Sequence, residues 1–576
     1  MGGTMLLQLR KDGMYIAALV VLLLAGNGKI DARSAVIRIN SQQEFDRMQQ
    51  LVIDAVSSGA DNVTVELGDG SYLFHEKHFV IYGRKWADVS LTIRGEGCVI
   101  AAAGASGKKA YSPYCALLDK DGDVIDPWSE MLACDRTVRI DDPSTGLCML
   151  RCSSLPAVRP RRDNPCILLT QWYTSGIYQA RKISGDSVVF LATDLSRDGM
   201  GRYSVNGDHT YGRSMPRFRV LRDTAGLGVS HVCDATSFME ISTSSLGGFK
   251  MEGIRFIGNR GAHTNEYLVK FYETDFPRAT VKGCSFKGIA SGAVGIQGSD
   301  NVSVAGNTFA KCFSTCICSY GGSRNTVVSD NVFEDTGLFP ANSFCVSCSG
   351  ENYLISGNYF TDYGYGAISA GLHYALNGTC KSSGIVEGNV LVYRDDYLAP
   401  ESLLMDSGAI YVNSVNYSLV IRYNRISGYW GMKDNRGIFC DDGARNVDIY
   451  GNVITGIRNS YSIDSRRVSS VEKQIGASNV NNHIHDNLID NPIRLQGRNK
   501  GGCTKGMNFV LVGTGGKAPS SVCSDLESQS DDMTVSSYRS EGKTLHVSRS
   551  TYNTLRRKWK HFGKMKDCLS IDRSIR

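Results

Sequence analysis

The segment GIFCDDGARNVDIYGN (437–452) sets Asp441 and Asp442 side by side between two alternating apolar runs. Carboxyl groups on stacked strands can share the work of glycosidic cleavage. One protonates the leaving oxygen, and another serves as nucleophile or base. A strand followed by Asp-Asp-Gly also makes a good turn, in which Gly443 would permit a positive φ. The neighbours weigh toward chemistry. If Ile368, Ile410, Ile438 and Ile463 form one inward column, then three residues on, the register stacks Gly371, Asn413, Asp441 and Arg466. The next column holds Leu372, Ser414, Asp442 and Arg467, with His373 close by. Side chains within a column lie about 4.8 Å apart. Asp441 and Asp442 are therefore expected to point outward as catalytic acids, with Arg466, Arg467, His373 and Asn413 contacting substrate.

The elements that hold these residues come from a repeat. Units such as VSVAGNTFAKC (302–312), YLISGNYFTDYG (353–364) and VDIYGNVITGI (447–457) share alternating apolar residues, then Gly or Asp, then Asn, then another apolar pair. Asn307, Asn331, Asn358, Asn389, Asn424, Asn452 and Asn487 fill one slot, at spacings of 24, 27, 31, 35, 28 and 35 residues. A period in this range signals a solenoid, and alternation within each unit signals strands. The Asn slot suits a tight bend, because Asn tolerates left-handed backbone angles, and stacked asparagines can form a hydrogen-bonded ladder. A second strand set, including GAVGIQG (292–298), YGAISAG (365–371) and RGIFCDD (436–442), lies between these units. Two or three strands per coil describe an all-β, right-handed parallel β-helix.

The xVxGNxF unit resembles the parallel β-helix repeats of the pectate-lyase-like superfamily, over residues 250–495 with opening coils in 60–100. More narrowly, MDSGAIY (405–411) and GIFCDDGARNVDIYGN are similar to the paired DTGGIY and GIYLDEGSSNxxxxxN segments of secreted bacterial β-helix proteins, including glycoside hydrolases. The resemblance implies a carbohydrate-active protein and matches Asp406, Asp441 and Asp442 as its acidic positions. Two departures stand out: Asp442 replaces a frequent Glu, and SYSIDSRR replaces a His-containing segment. Asp406 falls four residues before its column isoleucine, whereas Asp441 falls three after. Straight strands would put them roughly 20 Å apart, beyond the ~5–10 Å of paired carboxylates. Asp434, four before Ile438, would neighbour Asp406. Asp441 and Asp442 are thus the first choice and Asp406 the second.

Five regions follow. Residues 1–33 read as a signal region, because Arg10 and Lys11 precede the apolar run Met14–Ala25, which is short for a membrane span. Residues 34–100 hold a cap and the first coils. In Ser41–Ser58, a capping box (Ser41, Glu44) precedes an apolar face of Phe45, Met48, Val52 and Ala55. Residues 101–235 break the repeat as an inserted β-rich subdomain, where Trp172, Tyr173 and Tyr178 read as core before sugar platforms. Residues 236–495 form the β-helix core, and 496–576 a loop-rich tail that includes the basic, solvated stretch Arg556–Lys566.

Composition narrows the partners. In 576 residues, 62 glycines against 12 prolines suit many tight turns between short strands. A net charge of +6 over that length, without a recognition motif, excludes a nucleic-acid role as the leading reading. The 18 cysteines could form disulfides in an oxidising compartment, yet those in CFSTCICSY and FCVSC sit in strand-like runs as small buried hydrophobes. A metal site from Cys312, Cys316, Cys318, Cys345 and Cys348, or from His483, His485 and Asp486, is the weaker expectation. The expected protein is secreted, periplasmic or on the cell surface. It acts on a polysaccharide or oligosaccharide as a glycoside hydrolase and needs no cofactor or metal. The alternatives are a polysaccharide lyase, for which calcium would be the cofactor, and a non-catalytic polysaccharide-binding surface. Oligomeric state is not readable.

Overall fold

The computed structural model describes residues 33–83, 86–103, 235–243, 245–260, 266–337, 343–371, 382–393, 408–413, 417–428, 436–441, 444–457, 461–465, 480–495, 502–512, 533–536, 538–541 and 543–575. It also gives the strand backbones between 117 and 233. Each coil supplies one short strand to each of three long parallel sheets, as in Val302–Ala305 (sheet A), Thr308–Ala310 (sheet B) and Ile317–Tyr320 (sheet C). Sheets A and B each contain 13 strands and sheet C contains 11. The chain is a parallel β-helix, as the repeat implied.

Its core follows from the alternation. In sheet B, Phe256, Phe286, Phe309, Phe333 and Phe360 stack face to face inside the coils, with ring centroids 5.2, 4.9, 4.8 and 4.6 Å apart. Removing each ring from water is worth roughly 1.5–3 kcal/mol. In sheet C the inward column Ile368, Ile410, Ile438 and Ile463 pairs residue for residue, as the register required.

The asparagine slot is a buried ladder. Asn307 donates through its backbone N–H and Nδ2 to Asn331 Oδ1, at 2.9 and 3.0 Å. The pattern repeats through Asn358, Asn389, Asn424, Asn452 and Asn487, and ends on Asn508. The left-handed residue is not the Asn itself but the one before it: Gly306, Asp330, Gly357, Gly388, Tyr423, Gly451 and Asp486 all have positive φ. The bend is made there, and the Asn that follows bridges neighbouring coils.

The capping segment forms as two short helices, Gln42–Asp46 and Met48–Ser57, rather than one. Arg47 (φ −101°, ψ 2°) separates them. Ser41 accepts from the Glu44 N–H, and Phe45, Met48 and Val52 are buried. The pair packs on the first-coil strands 34–39, 62–67, 71–74 and 79–82, closing the open end of the solenoid.

The solenoid register passes over the insertion without a gap. Phe79–Tyr82 pairs with Met239–Ser242, Ser90–Arg94 with Gly248–Glu252, and Val99–Ala102 with Arg255–Ile257. Between them, seven strands from Leu132–Ala133 to Arg217–Leu221 form a separate antiparallel sheet. The side chains of Trp172, Tyr173 and Tyr178 lie outside the described residues, as do residues 1–32.

Past 496 the structure differs from the expected loop-rich tail. Thr504–Lys505, Phe509–Val512 and Met533–Ser536 extend sheets A and B. A hairpin (Tyr538–Glu541, Thr544–Val547), the helix Arg549–Lys558 and the strand Leu569–Ile571 then pack on the outside of sheet B. Outward Val453, Leu488 and Phe509 are covered by Leu545, Val547, Leu555, Trp559, Met565 and Leu569. The basic stretch is thus solvated on one side only: Arg556, Arg557 and Lys558 are exposed while Trp559 and Met565 are buried. Charge dominated its composition and masked the apolar positions between.

Candidate active site on the outer face of sheet C

The strand Arg436–Asp441 places the site. A local irregularity turns both Gly437 and Ile438 inward, since a Cβ on Gly437 would strike Ile454 Cγ2, a core atom, at 2.5 Å. Arg436, Phe439 and Asp441 consequently share the outward face. Asn413 pairs with Asp441, the predicted column, although the Asn413 side chain is outside the described residues. Asp406, Asp434, Asp442, Arg466, Arg467 and His373 lie outside them too.

Outward did not mean exposed. Asp441 is only 2% exposed and accepts a hydrogen bond from Tyr411 Oη at 2.9 Å. Tyr411 belongs to the preceding coil and packs among Phe439, Phe344 and Tyr365 at centroid distances of 5.3, 5.8 and 6.1 Å. Strand glycines make room here. A Cβ on Gly366 would come within 2.5 Å of the Phe344 ring, and one on Gly408 within 2.8 Å of Phe439 Cβ. The desolvated carboxylate accepts from a buried phenol.

A second acid, missed in the sequence reading, sits one coil on. Asp464 is fully buried and accepts from Arg436 Nε at 3.0 Å and Arg494 Nε at 2.7 Å, with Arg494 Nη2 completing a fork. The Arg436 guanidinium lies 4.1 Å from the Phe439 centroid, and that of Arg494 lies 4.4 Å from the Tyr461 centroid. The signal was present: Asp464 follows the column residue Ile463 by one, exactly as outward Tyr411 follows Ile410 and Phe439 follows Ile438. Reading the column three residues on, instead of one, passed over it. Beneath this layer burial, then the nearby Asp464, Cys503 and Asp441, push the Cys440 thiol up, so it is protonated and no nucleophile.

The weaker constellations resolve otherwise. Cys312, Cys316, Cys345 and Cys348 are buried free thiols, and burial pushes Cys345 up to about 12. His483 meets Thr504 Oγ1 at 2.6 Å, while His485 sits between Asp448 (3.2 Å) and Asp486 (3.0 Å). Among the described residues no group of three or more His, Cys, Asp or Glu is arranged to hold a metal ion.

Residues 259–390 match the family model for the right-handed β-helix region. The chain carries a right-handed parallel β-helix. Among solved structures, this β-helix is similar to a glycoside hydrolase at 11% identity, over 82% of this chain and 95% of that one, with a TM-score of 0.44. It is also similar to PfbA, a surface adhesin of Streptococcus pneumoniae, at 10% identity over 82% of both chains (TM-score 0.36). A third likeness is to the gp54 tailspike of Acinetobacter baumannii bacteriophage AP22, at 8% identity over 84% and 76% (TM-score 0.32). These likenesses are of fold alone. No curated protein sequence matches the chain. No helix among the described residues is long and apolar enough to cross a membrane.

Proposed function

We propose that the protein is a secreted carbohydrate-active enzyme, a glycoside hydrolase working along the outer face of sheet C. The observation that carries this reading is Asp441: a desolvated carboxylate, bonded to the Tyr411 phenol, within a layer of aromatic rings and guanidinium groups on one face of the solenoid. Desolvation strengthens every charge interaction made there. Asp441 acts as one catalytic carboxyl and Asp442, its neighbour in sequence, as the other, with Asp406 the reserve partner. Asp464, committed to two arginines, is a positioning residue that holds Arg436 and Arg494 in place. Arg466, Arg467, His373 and Asn413 are assigned to substrate hydroxyls.

The test is turnover of a panel of bacterial and plant polysaccharides by the full chain, with Asn variants of Asp441, Asp442 and Asp406. New reducing ends, lost at least a hundredfold or so in Asp441→Asn and Asp442→Asn but not in Asp406→Asn, are the expected result. Unsaturated products with an absorbance rise would assign the lyase chemistry instead. Saccharide binding without turnover would leave a non-catalytic surface.

A further inference from the structure

Arg425 opens the sheet B strand Arg425–Ser427, in register with Val390 and Val453 on the adjoining coils. Its neighbour Ile426 continues the inward column of the phenylalanine stack, so Arg425 points outward, into the layer between sheet B and the C-terminal hairpin. It is the largest fully buried side chain of the described residues. Nη2 donates to Ser540 Oγ at 2.9 Å, an atom that also lies 3.4 Å from Thr455 Oγ1. Nε and Nη1 have no acceptor.

Nor, among the described residues, does the charge have a counter-charge. Burial lowers Arg425 only to about 10, which leaves it cationic at neutral pH. The titratable neighbour that acts on it is Cys568, whose thiol burial pushes up and keeps protonated. A water molecule could satisfy the N–H groups but not the charge, and a buried guanidinium without a counter-charge is strongly disfavoured. Tyr538, Ser540 and Cys568, all of the C-terminal unit, lie on the same outer side of sheet B, with Tyr538 bonded to Asp490.

We propose that a small monovalent anion of chloride size binds against the Arg425 guanidinium and fastens the C-terminal unit to sheet B. The ligand class follows from the chemistry: one uncompensated positive charge, N–H donors, and an apolar layer that includes Val453, the register partner of Arg425, which suits a weakly hydrated single-charge ion. Binding to the folded state alone would couple halide concentration to stability.

The experiment uses the full chain in two arms. In crystals soaked in bromide, an anomalous peak is expected within hydrogen-bond distance of Arg425 Nε or Nη1. In solution, exchanging gluconate for chloride at constant ionic strength should raise the unfolding midpoint by a few degrees, saturably, in the natural protein and not in Arg425→Met. The methionine variant is expected to fold, because an unbranched apolar chain replaces a charge in an apolar layer. No bromide peak at Arg425, or an equal chloride response in Arg425→Met, overturns the proposal. A buried water in place of the ion gives both of those results.

Discussion

Tyr411 and Asp441 stand on adjacent coils of sheet C, and the phenol of one donates to the carboxylate of the other at 2.9 Å. Strand register makes this diagonal contact: Tyr411 pairs with Phe439, and Asp441 lies two residues further along the same face. Replacing Tyr411 by Phe keeps the ring packing and deletes only the donor. A buried carboxylate that loses a hydrogen bond costs about 1–3 kcal/mol. Urea unfolding should show that loss, and, on the proposed function, turnover of a saccharide substrate should fall about tenfold or more. Unchanged values of both would mean that the phenol is incidental to Asp441.

Asp464 makes a different prediction because it is tied to charges. Arg436 is 3% exposed and Asp464 is not exposed at all. Asp464→Asn leaves Arg436 buried without its counter-charge, a loss of roughly 3–5 kcal/mol. Adding Arg436→Met should return a large part of that stability, since it removes the buried charge left without its partner. The double-mutant cycle reads the coupling directly. Additive losses would show that the two side chains do not act as a pair.

The asparagine ladder can be tested at its centre. Asn358 accepts from the backbone N–H and Nδ2 of Asn331 and donates to Val328 O and Asn389 Oδ1. Asn358→Ala deletes these four bonds in a buried strip, although its backbone N–H still donates to Asn389 Oδ1, for a loss of about 2–4 kcal/mol. Asn358→Asp keeps the shape and the acceptors but turns the donating side into a repulsive contact with two oxygens. It should be at least as damaging near neutral pH. An aspartate variant as stable as the natural protein would show that shape, not donation, is what the slot requires.

These outcomes also measure what the sequence made legible. The coils, the inward isoleucine column and the ladder could be read directly, because each is a local pattern repeated at a regular interval. Other features depended on contacts across coils. Asp441 meets the Tyr411 phenol from the preceding coil, 30 residues away, which no run of neighbouring residues reports. Gly437 breaks the alternation and sets Arg436 on the same face as Phe439, so strict period-two counting misplaces it. Asp464 was visible in the register but was overlooked. Around Arg556–Lys566, clustered charge concealed Leu555, Trp559 and Met565, whose spacing on one face docks the C-terminal unit.

Stability at this docking surface should depend on pH in both directions. Trp559 Nε1 donates to the Asp486 carbonyl at 2.9 Å, and His561 lies against Tyr423, Tyr450 and the Asp486 carboxylate. His485 stacks on Tyr450 between Asp448 and Asp486, while Arg422, Glu387 and Lys560 complete the charged surroundings. The Asp448 hydrogen bond, helped by Asp486, raises His485 above the ordinary histidine value of 6.5. Its contribution is full below 6.5 and is lost as pH rises through the raised value. Burial lowers His561 below 6.5. Its contribution is full above 6.5 and is lost as pH falls through the lowered value. The midpoint of urea unfolding should therefore peak near the ordinary histidine value and fall on either side. His485→Gln should flatten the alkaline limb and soften the acid limb, because charged His485 helps to lower His561, and His561→Phe should flatten the acid limb. A profile that keeps both limbs in both variants would show that the two rings do not set the pH dependence.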